Sequence, residues 1–552
     1  APYVDDTVPN KEAGPFVGYP SALAPRAGRI ADENALPGTN EWASIGNYNI
    51  NTLTAYADKA SANAGESVGI HINSVGNSAT ARLYRLGYYQ GQGARLYATY
   101  GSFATPAQPN CGRDSVTGLV SCPWTSSLTV NTDPGWISGI YLLRIDSNNG
   151  FRFFVYFIVR NDSYASPLVA MEPTKTNQAY NRFGGESLYY SANNEGRIRA
   201  YKVSFDRPYL GGAGTGGLYA HEHEMVRWLE ASGFDVTYIS DMDRAVNPNI
   251  LMGHDAFMVM GHDEYWTWEE RGYVENALAS GLDMIFASAN ESFWNIRLEA
   301  SANGPNRVMV GYKEAALDPA PVGTPDTITF RDLGRPENAL IGSNYQSYYD
   351  EESYNYPWVA AAPASSWYFD CTGLQPGDRV NNIVGEEWDG LSPDQFTPPG
   401  IESMAHSMLS SPQGEPLPHD STIYTATSGA RIFAAGSIFF SWGLMDHSWS
   451  NQVFQPAYQS QAADPRIQQL MANIIDRFTG AWNGAPRQCD NQTFYKTQPR
   501  PTRTAMPQVP TATGVPGASA TSTPTRTNTT VPVATNTATP FPTCSAVFMS
   551  VD

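Results

Sequence analysis

The sequence predicts a multi-domain chain: a β-sandwich, then an α/β domain, then an extended Thr/Pro-rich tail. Three observations predict it. Short alternating strands with no helical pattern between them run from Asn49 to about Arg160, the signature of a sandwich. Beyond Arg160, apolar strands alternate with helical patterns, which implies a parallel sheet covered by helices. From about Pro486 the composition shifts, and residues 500–543 contain 14 Thr and 8 Pro. Such a segment is a stiff linker of the type that carries O-glycans.

Residues 1–45 are Pro- and Gly-rich with no sustained period and read as an extended N-terminal arm. Residues 46–160 form the sandwich, expected to be immunoglobulin-like, with strands at 51–56, 67–72, 79–84, 139–145 and 151–159. "GIYLLRI" and "RFFVYFIV" are nearly continuous apolar runs and read as core strands. Residues 161–485 form the α/β domain, with strands at 167–171, 236–239, 256–260, 283–287 and 431–435. "HEMVRWLEAS" places Met225, Trp228 and Leu229 at helical spacing and stops near Gly233. "WEERGYVENALAS" stops at Gly281, and "PRIQQLMANIIDRFTG" closes the domain with a helix capped by Gly480. Ligands of such sheets bind outside the carboxyl ends of the strands. Chemistry is therefore expected after Met171, Met260 and Ala287. Residues 486–552 form the tail.

Composition narrows the function. The 552 residues carry 53 acidic against 34 basic side chains, a formal net charge of −19. That charge repels phosphate backbones, so nucleic acid is not an expected partner. No run of 18 apolar residues occurs, so no membrane span is expected. The chain opens on Ala-Pro-Tyr with no basic and apolar leader, as expected of a processed protein outside the cell or on its surface. Cys111 and Cys122 flank a Gly-containing turn and are expected to pair, Cys371 and Cys489 to close the second domain, and Cys544 is left over. No CxxC occurs, which removes a zinc ribbon or thioredoxin-type site. The tail ends in "CSAVFMSVD", which reads as a strand that continues further on or docks on another subunit. Self-association through it, as in a filament, and glycans along it are the expected partners of the tail.

Three segments follow the three strand ends. "VMGHDEYW" brings out His262 and Glu264, which alternation places on one face with Trp266, leaving Asp263 and Tyr265 on the other. A base and metal-ligand pair is one reading; structural capping is the other. "ASAN" places Asn290 at the next edge, where its amide can donate to a developing oxyanion or simply cap a turn. Asn290-Glu-Ser is also a sequon, though its place directly after a buried strand argues against glycosylation. "TNQAYNRFGGESLYY" flanks the Gly184–Gly185 turn with Tyr180 and Tyr189. Loop tyrosines ordinarily pack, but an ionised phenolate is a hard ligand suited to ferric iron.

The strings "AYNRFGGESLY", "KVSFDRPY", "VRWLEASGFDV", "GHDEYW", "SANESFW" and "VGEEWDG" occur in the order found in the N,N-dimethylformamidase large (beta) subunit family. The resemblance spans roughly residues 50–480. It implies an α/β domain of the kind found in class I glutamine amidotransferases, and a single Fe(III) held by two tyrosines and a glutamate. Carried onto this sequence, those ligands are Tyr180, Tyr189 and Glu264, with Tyr190 and Tyr219 as alternatives to Tyr189. His262 is implied as general base and Asn290 as oxyanion donor. Glu387 is the second catalytic carboxylate, ahead of Glu386 because Asp389 stands two residues on. The reaction implied is metal-assisted hydrolysis of a small amide. A cell-surface or filament subunit on the same scaffold is the alternative.

Other signals are set aside. His221 and His223 in "AHEHEM" diverge on a helix and are expected to be exposed polar residues. Gly212, Gly214 and Gly217 satisfy G-x-G-x-x-G but follow no buried strand. No G-x-S-x-G elbow occurs, and "GHDAF" around His254 precedes its strand and reads as a connection.

Overall fold

The computed structural model describes residues 28–192, 196–348, 356–446, 463–484 and 489. The tail from 490 and most of the N-terminal arm lie outside the described residues. Where the arm is described it is not uniformly extended: Arg29–Asn34 is a helix with Ile30 in the core.

All five expected sandwich strands form. One sheet orders Leu53–Ala57, Ser67–Ser74 and Ser126–Asn131; the other orders Ser61–Asn63, Arg152–Arg160, Gly139–Ser147, Ser78–Leu86 and Ala94–Ala104. Their facing side chains, among them Val68, Ile70, Leu83, Leu143 and Phe157, make a common core. The two continuous apolar runs have a further cause. Leu143, Ile145, Phe153, Val155 and Phe157 face that core, whereas Ile140, Leu142, Phe154, Tyr156 and Ile158 join a second cluster with Trp228, Val236 and Tyr238. Both faces of these two strands are buried, so no polar residue alternates.

The second sheet has seven strands in the order Val236–Ser240, Leu168–Glu172, Ala256–Val259, Asp283–Phe286, Arg431–Ala434, Pro416–Thr425 and Glu402–Ser410. The first five, all expected, are mutually parallel; the last two add antiparallel pairs at one edge. Alternation divides the sheet's side chains between two clusters. Leu168, Ala170, Met258, Ile285 and Phe433 pack with Met225, Trp228 and Leu229 of helix His223–Ala231 and with helix Pro465–Phe478. Val169, Met171, Phe257, Val259 and Met284 pack with Val274 and Ala277 of helix Trp268–Ala279. Each of the Val, Leu, Ile, Phe and Met side chains so removed from water contributes about 1.5–3 kcal/mol.

Local signals set the helix ends. Thr267 Oγ1 accepts from Glu270 N at 3.1 Å while Glu270 Oε2 accepts from Thr267 N at 2.7 Å, a capping box worth about 1 kcal/mol. Asp464 caps Pro465–Phe478, with Pro465 in its first turn and Gly480 beyond its end at φ 72°. Cys111–Cys122 and Cys371–Cys489 are both disulfides. The G-x-G-x-x-G residues follow no strand of the seven-stranded sheet. A Cβ on Gly214 would lie 2.1 Å from Phe154 O, so that glycine lets a turn press against the sandwich.

Candidate active site

Three adjacent parallel strands, Leu168–Glu172, Ala256–Val259 and Asp283–Phe286, deliver the three chemistry-bearing segments to one edge of the sheet. Tyr180 ends the helix Thr174–Tyr180, and Tyr189 sits in the tight hairpin between Glu186–Ser187 and Tyr190–Ser191. Gly184 and Gly185, at φ 76° and 80°, let the chain reverse between them. The two rings stack with centroids 4.3 Å apart. Tyr180 OH donates to Glu264 Oε2 at 3.0 Å, and Tyr189 OH donates to Glu264 Oε1 at 2.6 Å. Trp294 Nε1 also donates to Oε1, at 2.8 Å, and Glu264 N donates to Thr176 Oγ1 at 2.9 Å.

The other three predicted residues meet the same place. Asn290 Nδ2 donates to Glu387 Oε2 at 2.6 Å, and Tyr180 OH lies 3.5 Å from Glu387 Oε1. His262 Nε2 lies 3.4 Å from Glu387 Oε2 and 3.8 Å from Glu264 Oε2. It makes no hydrogen bond among the described residues, although His262 is only 4 % exposed. The Asn290 Oδ1 is likewise buried without a partner there. Asn290 adopts the left-handed φ of 51°, and its N–H donates to Asp389 Oδ1 at 2.9 Å.

The site is buried and rich in oxygen acceptors. Burial and then the Glu264 charge push the Tyr180 and Tyr189 phenols well above their ordinary range. Burial raises Glu264 although Lys313 pulls the other way, and burial with Glu264 nearby raises Glu387 well above its usual value. Burial, followed by the neighbouring His221, lowers His262 to about 3. A multivalent cation among these groups would pull the phenols and carboxyls down instead and hold His262 lower still, because its charge would exceed every other in the site.

A family model described as N,N-dimethylformamidase beta subunit-like, C-terminal, matches residues 80–453. The chain belongs to this family. Tyr180, Tyr189, His262, Glu264, Asn290 and Glu387 all fall within the matched residues of the dimethylformamidase-like region. Among curated relatives, the N,N-dimethylformamidase beta subunit of Paracoccus aminophilus is 23% identical over 52% of this chain and 41% of its own length. That of an Alcaligenes species is 22% identical over 46% of this chain and 36% of its own. The match thus spans less than half of each relative. A solved structure of murine CEACAM1b aligns at 13% identity over 21% of this chain and 61% of that one, with a TM-score of 0.12, too low to bear on the fold.

In this dimethylformamidase-family chain the alternative residues lie in different surroundings. Tyr190 is 41% exposed with Arg182 over its ring, and Tyr219 packs against Trp42 and His223; only Tyr189 joins Tyr180 at Glu264. Glu387 accepts from Asn290, whereas Glu386, at φ 58°, meets His221 Nε2 at 2.9 Å. Burial alone would raise Glu386, but His221 outweighs it and holds that carboxyl below its ordinary range. The expectation that His221 and His223 are exposed is therefore corrected: they are 5% and 1% exposed. The sequence carried no signal for this, because the burying surface, including Trp442 and Ser441, comes from more than 200 residues away.

The face assignment of the GHDEYW string needs the same correction. Residues 261–264 do not form a regular strand, so strict alternation fails. Trp266 enters the core under the guanidinium of Arg244, 4.0 Å from its ring, while Tyr265 OH reaches Tyr189 OH at 2.6 Å. Lys313 was also missed. Its Nζ donates to Tyr265 OH at 2.6 Å and lies 3.3 Å above the Tyr189 ring. It arrives on a loop after strand Gly304–Val310, with no motif around it. Among the described residues, Asp370, Cys371 and Cys489 also group with ligand-type spacing, but both sulfurs are committed to the disulfide.

Proposed function

We propose that the chain is a metal-dependent amide hydrolase of the dimethylformamidase type, with one ferric ion held by Tyr180, Tyr189 and Glu264. The observation that carries this reading is the convergence of two phenols on the two oxygens of one buried carboxylate, with His262, Asn290 and Glu387 alongside. The donor set fits such an ion. Tyr180 OH and Tyr189 OH each lie within hydrogen-bond distance of a Glu264 oxygen, at 3.0 and 2.6 Å, so the three residues that would hold the ion already converge. Three hard oxygen donors suit Fe(III).

A ferric ion held there supplies a Lewis acid that polarises a carbonyl and acidifies water. The remaining work falls to side chains. His262 Nε2 takes a proton from the attacking water as the new C–O bond forms at the amide carbon. Asn290 Nδ2 turns from Glu387 to the oxygen on which negative charge develops. Glu387, protonated, donates to the amide nitrogen as the C–N bond breaks. Proton transfer from His262 to Glu387, 3.4 Å away, restores both groups, and the products are a carboxylic acid and an amine. The substrate class is a small amide such as an N-alkylformamide.

Metal analysis and visible absorption of the purified protein test the reading, together with hydrolysis of small formamides. Tyr180→Phe and Glu264→Gln are expected to lose iron and the phenolate colour. His262→Ala is expected to keep iron and lose turnover. Full iron and full activity in all three variants would overturn the assignment.

The same proposal includes the immunoglobulin-like and amidotransferase-like kinships of the two sheet systems and domain boundaries near 45, 160 and 485. It includes a location outside the cell, supported by the two disulfides.

A further inference from the structure

Arg207, in the "DRPY" string, is 1% exposed. Its five N–H donors are all used. Nε donates to Gln178 Oε1 at 3.0 Å. Nη1 donates to Phe183 O at 3.1 Å and Glu186 O at 2.8 Å. Nη2 donates to Gln178 O at 3.3 Å and Asn181 O at 2.8 Å. None of the five goes to a carboxylate.

A guanidinium buried without a hydrogen-bonded anion is costly to keep, so its partners point to its use. Gln178 and Asn181 lie at the end of helix Thr174–Tyr180, where carbonyls run short of intrahelical donors; Gln178 O also accepts the capping N–H of Asn181, at 3.3 Å. Phe183 and Glu186 open the hairpin that carries Tyr189. One planar fork therefore binds both ends of the segment that separates the two tyrosines. Asn181 adds a second fastening to the same stretch: its Nδ2 donates to Pro208 O at 2.8 Å and its Oδ1 accepts from Leu210 N at 3.0 Å. From the far side, Val120 fills the space where a Gly184 side chain would stand, 2.7 Å from an ideal Cβ.

We infer that Arg207 is the positioning residue that sets the spacing of Tyr180 and Tyr189, so that both hydroxyls reach Glu264. Its consequence for metal binding rests on the ferric reading above; its effect on the hairpin does not. Lysine cannot substitute, because three donors on a flexible stem do not reproduce a rigid five-donor fork.

The test compares Arg207→Lys with the wild type, using ferric titration, visible spectra and amide hydrogen exchange of the metal-free proteins. The expected result is a 10- to 100-fold loss of iron affinity, the range for residues that orient metal ligands, a displaced phenolate band, and at least tenfold faster exchange over 183–191. A merely stabilising role would lower the melting temperature without moving the band. Wild-type affinity, band position and exchange in Arg207→Lys would overturn the inference. If that variant does not fold, Gln178→Met removes the Oε1 that accepts from both Arg207 Nε, at 3.0 Å, and Asn181 Nδ2, at 2.7 Å; a shift in the same direction supports the inference, and unchanged band and exchange refute it. If the wild type takes up no iron, the metal reading fails and the exchange comparison alone decides the role of Arg207.

Discussion

Asn290 offers a substitution pair that separates chemistry from backbone strain. It holds φ at 51°, 3% exposed, with its amide on Glu387 and its N–H on Asp389. Asn290→Gly removes the amide and suits that φ; Asn290→Ala removes the amide but keeps a Cβ in the left-handed region, which sets it about 1–2 kcal/mol above the glycine variant in strain. Loss of one oxyanion donor costs about 10²–10³ in kcat, equivalent to about 3–4 kcal/mol. Both variants should therefore lose kcat by that factor with iron retained, since neither touches Tyr180, Tyr189 or Glu264. The alanine variant should unfold earlier than the glycine variant, by about 1–2 kcal/mol in urea. Steady-state hydrolysis of a small formamide, beside urea titration of both variants, reads the two effects separately. A glycine variant within tenfold of wild-type kcat would refute the oxyanion role and leave Asn290 as a turn residue.

Arg85 and Glu230 have fully buried side chains and pair bidentately at 2.8 and 2.7 Å, so Arg85→Met, which strands Glu230, should cost about 3–5 kcal/mol. Arg85→Met combined with Glu230→Met should recover much of that loss; a double variant as unstable as the single one contradicts the pairing. Burial depresses His419 from its ordinary 6.5 to about 4, so below pH 6.5 the unfolded chain binds a proton that the folded chain refuses. Its contribution is complete above pH 6.5 and falls by about 1.4 kcal/mol per unit towards pH 4, about 3 kcal/mol in all. Urea midpoints of His419→Gln should depend less on pH across that window, and an unchanged dependence counts against the claim. The Cys111–Cys122 disulfide closes a short loop over the buried Trp124 and Tyr56; replacing both cysteines by serine should lower stability by about 2–3 kcal/mol, checked by thermal melting with and without reductant.

Much of this was legible because it rests on local rules. The five parallel strands announced themselves as apolar runs bounded by helical patterns, and the expectation of chemistry after Met171, Met260 and Ala287 follows from topology alone. Tyr180, Tyr189, Glu264, His262, Asn290 and Glu387 then proved to be neighbours in space. The illegible parts depend on distant chain. The antiparallel strand Glu402–Ser410 is an edge with Met408 exposed, so its run is too polar to read as sheet. Tyr265 crosses to the site because residues 261–264 depart from strand geometry, and Lys313 comes from a loop with no distinguishing pattern. His221 looked exposed because only its own helix was in view, whereas Glu386 and the segment at Ser441 enclose it.

Strands Gly139–Ser147 and Arg152–Arg160 are walls shared by two rooms. A fragment that starts at residue 161 would bare the surface of Trp228, Val236 and Tyr238 against which Ile140, Leu142 and Phe154 now rest, inviting aggregation. Recombination between relatives should therefore exchange both sheet systems together. A crossover near residue 160 tears one continuous interior, even though the sequence changes rhythm there.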